Sequence, residues 1–145
     1  MNFRLFAAIA TFFFAACDTS SDADDGIRKD ALAFAENYFN FDFHAASDHS
    51  TPEGRKWIGY VASNVSEADL IVLRSYGHAA EVEVNAIDTQ NDSTVIVTLS
   101  VSGFMSMDSI GRPGHIVDEA VFRLPMVRRQ DRWLVRMEGP LRSEK

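Results

Sequence analysis

Two acids and three aromatic side chains are the residues of this sequence best suited to chemistry in a pocket. Asp42 follows an apolar helical segment, and Asp118 stands among apolar neighbours in a strand-like segment. A carboxylate in apolar surroundings has a raised pKa and can act as a base. Tyrosine hydroxyls on nearby helices can face the same cavity. The pocket candidates are therefore Tyr38, Asp42, Trp57, Tyr60 and Asp118.

Each candidate also has a structural interpretation, which the sequence favours. Asp42 can cap a short helical turn over 43–47, because aspartate is a preferred N-cap residue. Asp118 follows His115 by three residues beside a glycine-rich loop, so exposure at a strand end explains it as well. Tyrosines on apolar helix faces are more often core residues with the hydroxyl at the rim. We therefore predict no catalytic residue.

Other chemistries lack support in the sequence. The four histidines show no metalloprotease spacing, and neither a glycine-rich phosphate loop nor a Gly-x-Ser-x-Gly elbow occurs. The formal net charge is −7, from 14 Lys+Arg and 21 Asp+Glu, which argues against nucleic acid as a partner. We expect a protein without enzymatic activity, cofactor or metal.

The N-terminal residues resemble a bacterial lipoprotein signal. An apolar run at 5–16 would be about 18 Å long as a helix, too short to cross the hydrocarbon core of a bilayer. Phe14-Ala15-Ala16-Cys17 resembles a lipobox, with Phe14 where leucine is usual. Cys17, the single cysteine, is therefore the predicted lipidation site after removal of residues 1–16. The alternative is an ordinary secreted protein with an incidental cysteine.

Lipidation would place the protein in the cell envelope, as an outer-membrane lipoprotein that faces the periplasm or the cell surface. Residues 17–25 contain no core-forming side chain and are predicted to be an acidic, disordered tether. An acidic run after a lipidated cysteine also resembles a surface-export signal, and a plain linker explains it equally well. Residues 26–138 are predicted to form one domain, and 139–145 a short polar tail.

The predicted domain begins with helices and continues with strands. Apolar residues at helical spacing predict a first helix over 30–41, and Thr51-Pro52-Glu53 begins a second over 52–62. Ser66 and Asp69 form a capping-box variant for a third helix, which ends at Tyr76-Gly77. Alternating apolar residues then predict four strands, near 81–85, 95–101, 115–127 and 132–137. Short connections between them favour an antiparallel meander and an α+β fold.

This layout resembles the nuclear-transport-factor-like (cystatin-like, α+β cone) superfamily. Residues 40–46 followed by Thr51-Pro52-Glu53 are similar to small lipoproteins of that superfamily. Residues 130–135 resemble their closing hairpin, although the glycine that usually follows its aspartate is missing. The resemblance implies helices packed on a bent four-stranded sheet over 27–138. The superfamily contains isomerases, dehydratases, cyclases and binding domains, so the fold implies no single function.

Three arginines are predicted to share the outer face of the sheet: Arg123, Arg132 and Arg136. Arginine is enriched at protein interfaces, so these residues are the interface candidates. A solvated face with scattered salt bridges explains them equally well. The resemblance implies dimerisation through the same sheet. The leading hypothesis is a lipid-anchored envelope domain that acts in binding or assembly, with a membrane and an envelope protein as partners. The alternatives are an isomerase- or dehydratase-like enzyme for a small apolar ligand, and a structural homodimer.

Overall fold

Helices occupy the first half of the folded chain and strands the second. The computed structural model describes residues 19–107 and 111–144. The helical elements are α1 (Thr19–Phe39), α2 (Phe43–Ser47), a 3-10 turn (Pro52–Gly54), α3 (Arg55–Ser63) and α4 (Glu67–Tyr76). The strands are β1 (Glu81–Asn91), β2 (Thr94–Ser106), β3 (His115–Arg129) and β4 (Arg132–Val135). They form one antiparallel sheet in the order β1-β2-β3-β4, which confirms the predicted α+β meander.

The two faces of the sheet follow from the alternation of residues along β2. Val95, Val97, Leu99 and Val101 are all buried, and the residues between them are half-buried. Side chains alternate between the faces of a strand, so these four define the core face. Their partners on β3 share that face, and three of them are also buried: Phe122, Leu124 and Met126.

Helix α1 packs on the core face and is longer than the sequence predicts. It begins at Thr19, so residues 19–25 are helical rather than a disordered tether. Acids in this segment, such as Asp22 in the first turn, favour a helix because they interact well with the positive end of its dipole. From Asp22 onward the first core residue of α1 is Ile27, and later ones recur at helical spacing: Ala31, Phe34, Ala35 and Tyr38.

The C-terminus of α1 is a Schellman motif built on Phe41. The backbone nitrogen of Phe41 donates to the Tyr38 carbonyl at 3.2 Å, and that of Asp42 donates to the Asn37 carbonyl at 2.9 Å. Phe41 has a φ of 64°, the left-handed conformation that this motif requires. The helix therefore ends before Phe41, where the sequence pattern had continued it.

Strand β4 lies at one edge of the sheet, and its outward backbone groups have partners. The nitrogen of Trp133 donates to the Asp30 carboxylate at 3.0 Å. The nitrogen of Val135 donates to the His49 carbonyl at 2.9 Å, and its carbonyl accepts from the nitrogen of Thr51 at 2.9 Å. Pairing of this kind blocks further strand addition at an edge.

The C-terminal residues belong to the domain instead of forming a separate polar tail. Leu141 packs against the hydrophobic core, and the nitrogen of Glu144 donates to the Val121 carbonyl at 2.7 Å. This backbone hydrogen bond lies on β3 beyond the end of β4. The predicted boundary at residue 138 was therefore too early, because an apolar residue within the short tail completes the core.

Candidate functional site

The space between α1 and the sheet is filled by aromatic rings. The ring centroids of Phe39 and Phe122 are 4.7 Å apart, and Phe104 lies 5.5 Å from each of them. Phe34 stacks on Tyr38 at 5.4 Å. All five residues are buried, and such contacts have the geometry that aromatic pairs prefer. The interior of the cone is a packed core at this level.

Tyr38, a pocket candidate, belongs to this core. Burial raises the pKa of its hydroxyl to about 12, although a backbone hydrogen bond with Leu141 partly opposes that effect. A hydroxyl that holds its proton so firmly is a poor acid at neutral pH. Through its hydrogen bond with the Leu141 backbone, Tyr38 links α1 to the C-terminal segment.

The two candidate acids are both exposed, and they lie on different elements. The Asp42 carboxylate caps α2 by accepting from the nitrogen of Ala45 at 3.1 Å, as its structural interpretation predicts. Asp118 lies on β3 opposite Gly103, near the start of the strand. Neither carboxylate is enclosed by apolar side chains.

The remaining pocket candidates form a small surface group on α3. The rings of Trp57 and Tyr60 are 6.3 Å apart, and the Lys56 ammonium lies 5.4 Å from the centroid of the Trp57 ring. Trp57 is half-buried against the core, whereas 48% of Tyr60 is exposed. The structure does not bring these residues together with Tyr38 or with either acid in one cavity.

A cleft of about 200 Å³ lies between the end of α4, the last residues of β2 and the first residues of β3. Among the residues that the structure describes, its polar side chains are Asn40, Tyr76 and His78, and no carboxylate lines it. Ligand pockets are usually about 300–1,000 Å³ in volume, so this cleft is small. Its apolar side chains are Phe39, Leu73, Ala80, Phe104, Met105 and Ile116.

Tyr76 shapes this cleft through a close approach to β2. Gly103 has a φ of 63°, and a Cβ atom there would lie 2.6 Å from the Tyr76 hydroxyl. The tyrosine therefore packs directly over the glycine. The sequence pattern predicts Tyr76 as a helix end, and no local pattern joins it to Gly103.

The buried carboxylate of Asp69 fixes α4 to the loop before β3. It accepts from the backbone nitrogen of Gly114 at 2.7 Å and from the backbone nitrogen of Ser66 at 2.7 Å. Burial by itself would raise the pKa of Asp69, but hydrogen bonds from these N–H groups and from the Ser66 hydroxyl outweigh it and hold the pKa below its usual value. The capping box predicted at Ser66 is confirmed.

The outer face of the sheet lies on the side away from the core. Paired residues there include Thr98 with Arg123 and Ser100 with Val121. Its β2 residues are half-buried, whereas Arg123 is exposed. This face combines small polar, apolar and charged groups, as protein interfaces do.

The interface candidates lie on this outer face, but they do not form one cluster. Strand alternation places Arg132 on the same side as Arg123. Arg136 follows β4 and continues its ladder, since its nitrogen donates to the Pro125 carbonyl at 2.8 Å. Arg132 donates to the Asp48 carbonyl at 3.1 Å, and Arg136 lies 3.6 Å from the Glu138 carboxylate. The opposite edge of the face is acidic, with Glu81, Glu83 and Asp88 on β1.

Comparison with solved structures identifies the fold. An NTF2-like protein of unknown function from Shewanella oneidensis MR-1 aligns over 85% of this chain and 99% of its own, with 12% identity and a TM-score of 0.55. A protein of unknown function from Mycobacterium tuberculosis aligns over 92% of this chain and 79% of its own, with 9% identity and a TM-score of 0.56. The chain has an NTF2-like fold.

A third similar structure is an NTF2-like protein involved in plasmid conjugation. It aligns over 84% of this chain and 49% of its own, with 12% identity and a TM-score of 0.52. Neither a family model nor a curated protein matches the sequence. At these identities the likeness concerns the NTF2-like architecture and assigns no site residue.

Cys17 lies outside the described residues, so its lipidation stays a prediction. No helix within 19–107 or 111–144 is long and apolar enough to cross a membrane. In those same ranges, no three His, Cys, Asp or Glu side chains are grouped as metal ligands.

Proposed function

We propose that this NTF2-like chain is a lipid-anchored envelope protein that binds a protein partner through the outer face of its sheet, without catalysing a reaction. The observation that carries this proposal is the filled cone. Phe39, Phe104 and Phe122 pack against one another in the space between α1 and the sheet. The candidate acids Asp42 and Asp118 are in solvent. With the interior occupied, the surfaces remain for binding.

The outer face supports the choice of surface. It carries exposed Arg123 among half-buried residues such as Thr98 and Val121. An arginine surrounded by partly apolar surface is suited to an acidic group on a partner, since its planar guanidinium forms paired hydrogen bonds with carboxylates. The lipobox at Cys17 supports the envelope location, because acylation there would hold the domain at a membrane.

The cleft offers little support for an enzyme. Its polar groups are Asn40, Tyr76 and His78, and Asn40 is already bonded to the backbone of Ala80 through both its amide oxygen and its amide nitrogen. The proton-transfer alternative requires an acid and a tyrosine in one cavity. Neither candidate acid, Asp42 or Asp118, lines the cleft.

Self-association through the same face is the second candidate, and the charge distribution favours it. Glu83 and Asp88 lie at the β1 edge of the face, and Arg132 and Arg136 lie at the β4 edge. A two-fold axis parallel to the strands would set the acidic edge of one copy against the basic edge of the other. An axis in the sheet plane but perpendicular to the strands would oppose like charges.

Site-specific crosslinking tests the proposal. A photoreactive amino acid is placed at Thr98 or Val121 on the outer face, and at Lys29 or Glu36 on the exposed side of α1 as matched controls. The proposal predicts a discrete adduct in intact cells from the outer-face positions and none from the controls. An adduct of twice the chain mass identifies the homodimer, and any other discrete mass identifies a different partner. Equal crosslinking from both surfaces, or none from the outer face, would contradict the proposal.

A further inference from the structure

The part of α1 from Asp22 to Asp25 is helical but contributes nothing to the core. Residues Asp22, Ala23, Asp24 and Asp25 are consecutive and exposed, and Ile27 is the first buried residue after them. Successive residues of a helix are turned by about 100°, so four exposed neighbours cover its whole circumference. This segment has no apolar side with which to pack on the domain or to lie in a membrane interface.

The position of α1 in the fold shows which end of the domain this segment leaves from. Asp30 accepts from the nitrogen of Trp133, next to the β3–β4 turn. The nitrogen of Arg128 donates to the Ser93 carbonyl at 2.8 Å, which places the β1–β2 turn at the same end. We call this the turn end. At the opposite end of α1, Asn40 accepts from the nitrogen of Ala80 at 2.7 Å, beside the cleft.

The distance from Cys17 to the domain depends on whether the intervening residues are helical. Asp18 is the single residue between Cys17 and the start of α1 at Thr19. From Thr19 to Ile27 the helix spans about 12 Å. The same residues as an extended tether would reach roughly 26–29 Å. The helix therefore removes more than half of the reach that a flexible tether would have.

We propose that the N-terminal part of α1 is a rigid spacer that orients the domain over the bilayer, with the turn end toward the lipid and the cleft away from it. This inference rests on the proposed lipidation of Cys17. Asp22, Asp24 and Asp25 reinforce the orientation, because anionic headgroups repel them and keep the helix from lying on the surface. The cleft and α4 are then the parts of the domain that molecules in the aqueous compartment meet first.

Energy transfer to labelled lipid measures this orientation. The full lipidated protein is reconstituted into vesicles of phosphatidylethanolamine and phosphatidylglycerol with an acceptor dye on the headgroups. Acylation blocks the single native cysteine, so Asp92→Cys at the turn end or Ser75→Cys on α4 supplies one labelling site for the donor. The spacer predicts several-fold more transfer from the label at position 92 than from the label at position 75. Equal transfer from the two positions would overturn it.

A helix-breaking substitution separates the spacer from mere attachment. Ala23→Pro removes a helical hydrogen bond and kinks the segment, whereas Ala23→Ser at the same exposed position is the matched control. The ratio of the two transfer efficiencies should fall toward one with proline and stay unchanged with serine. An unchanged ratio with proline would also overturn the spacer.

Flotation of the vesicles distinguishes failure of this inference from failure of the anchor. Flotation with equal transfer refutes the spacer and leaves lipidation standing. Protein that does not float with the vesicles refutes the lipid anchor, and the spacer with it.

Discussion

The Asp69 carboxylate and the backbone nitrogen of Gly114 are joined by a buried hydrogen bond of 2.7 Å across 45 residues of sequence. The same carboxylate completes the capping box of α4 through Ser66. One side chain thus begins a helix and also holds the start of β3 against it. The orientation of α4, and with it the shape of the cleft, depends on this carboxylate.

Replacing Asp69 should destabilise the domain and change its acid sensitivity. Asp69→Asn keeps one acceptor oxygen but cannot accept from both Gly114 and Ser66, and we expect a loss of about 1–3 kcal/mol at neutral pH. The native pKa is lowered, so the charge contributes stability above the unfolded pKa of about 3.9. That contribution is lost as pH falls through the lower, folded value.

Urea unfolding at a series of pH values measures this effect. The difference between the wild type and Asp69→Asn should be largest near neutral pH and should shrink below about pH 4. Glu67→Gln, an exposed change in the same helical turn, is the control and should shift stability by less than about 0.5 kcal/mol. A pH-independent difference would show that the charge of Asp69 has no special role.

The turn between β3 and β4 is strained, and a designed replacement should stabilise it. Gln130 and Asp131 have φ values of 51° and 62°, as in a type I′ hairpin turn. Asn-Gly is the preferred pair for that turn, so Gln130→Asn combined with Asp131→Gly should raise stability by about 1 kcal/mol. The exposed ion pair of Asp131 with Arg128 at 3.1 Å is lost, but such pairs contribute little.

Thermal unfolding measures the change in the turn. The matched variant Asp131→Ala also removes the ion pair but keeps the strained backbone, and it should not stabilise the protein. If Asp131→Ala stabilises the protein as much as the Asn-Gly pair does, relief of backbone strain is not the cause of the stabilisation.

We expect the free energy of unfolding to fall at alkaline pH because of Tyr38. Its folded pKa is raised to about 12, so its contribution is complete below the unfolded pKa of about 10 and is lost as pH rises toward 12. Tyr38→Phe should cost about 1 kcal/mol at pH 8, since the hydrogen bond with the Leu141 backbone is lost. Unfolding by urea at pH 8 and pH 11 checks this: the difference between the two proteins should be smaller at pH 11. A difference that grows with pH would contradict the assignment.

The contact of Tyr76 with Gly103 should appear as energetic coupling. Gly103→Ala forces a side chain into the left-handed region, which costs about 1–2 kcal/mol, and also drives its Cβ into the Tyr76 hydroxyl. In a Tyr76→Phe background the collision is relieved and only the backbone cost remains. A double-mutant cycle on the free energy of unfolding should therefore give a coupling of at least about 0.5 kcal/mol. Additive effects would show that the two residues do not touch.

The sequence predicts the parts of this fold that depend on local spacing. The alternation from Val95 to Val101 indicates the core face of β2, and Ser66 with Asp69 indicates the start of α4. Asp42 as an N-cap is likewise a local pattern, and the structure confirms it. The predicted start of α1 lies too late in the chain, because the exposed residues 22–25 leave no apolar period to detect.

The cleft is not predictable from local spacing. Asn40 follows α1, Tyr76 ends α4 and Gly103 lies on β2, and only the folded chain brings the three together at the cleft. The hydrogen bond from Gly114 to Asp69 and the packing of Leu141 are long-range contacts of the same kind. The candidate acids Asp42 and Asp118 have apolar neighbours in sequence, but both are exposed in the structure. Apolar neighbours in sequence therefore do not ensure that a carboxylate is buried.

The most direct test of the account is whether the cone admits a small apolar molecule. Methyl NMR spectra of Leu99 and Leu124, both fully buried on the core face, are recorded during a titration with benzene. Phe104→Ala opens a cavity beside the cleft and is the positive control, because an apolar cavity of that kind binds benzene. A filled cone predicts that the wild-type methyl resonances do not move and that those of Phe104→Ala shift and saturate. Saturable shifts in the wild type would show an open pocket and would contradict the assignment of function to the outer surface.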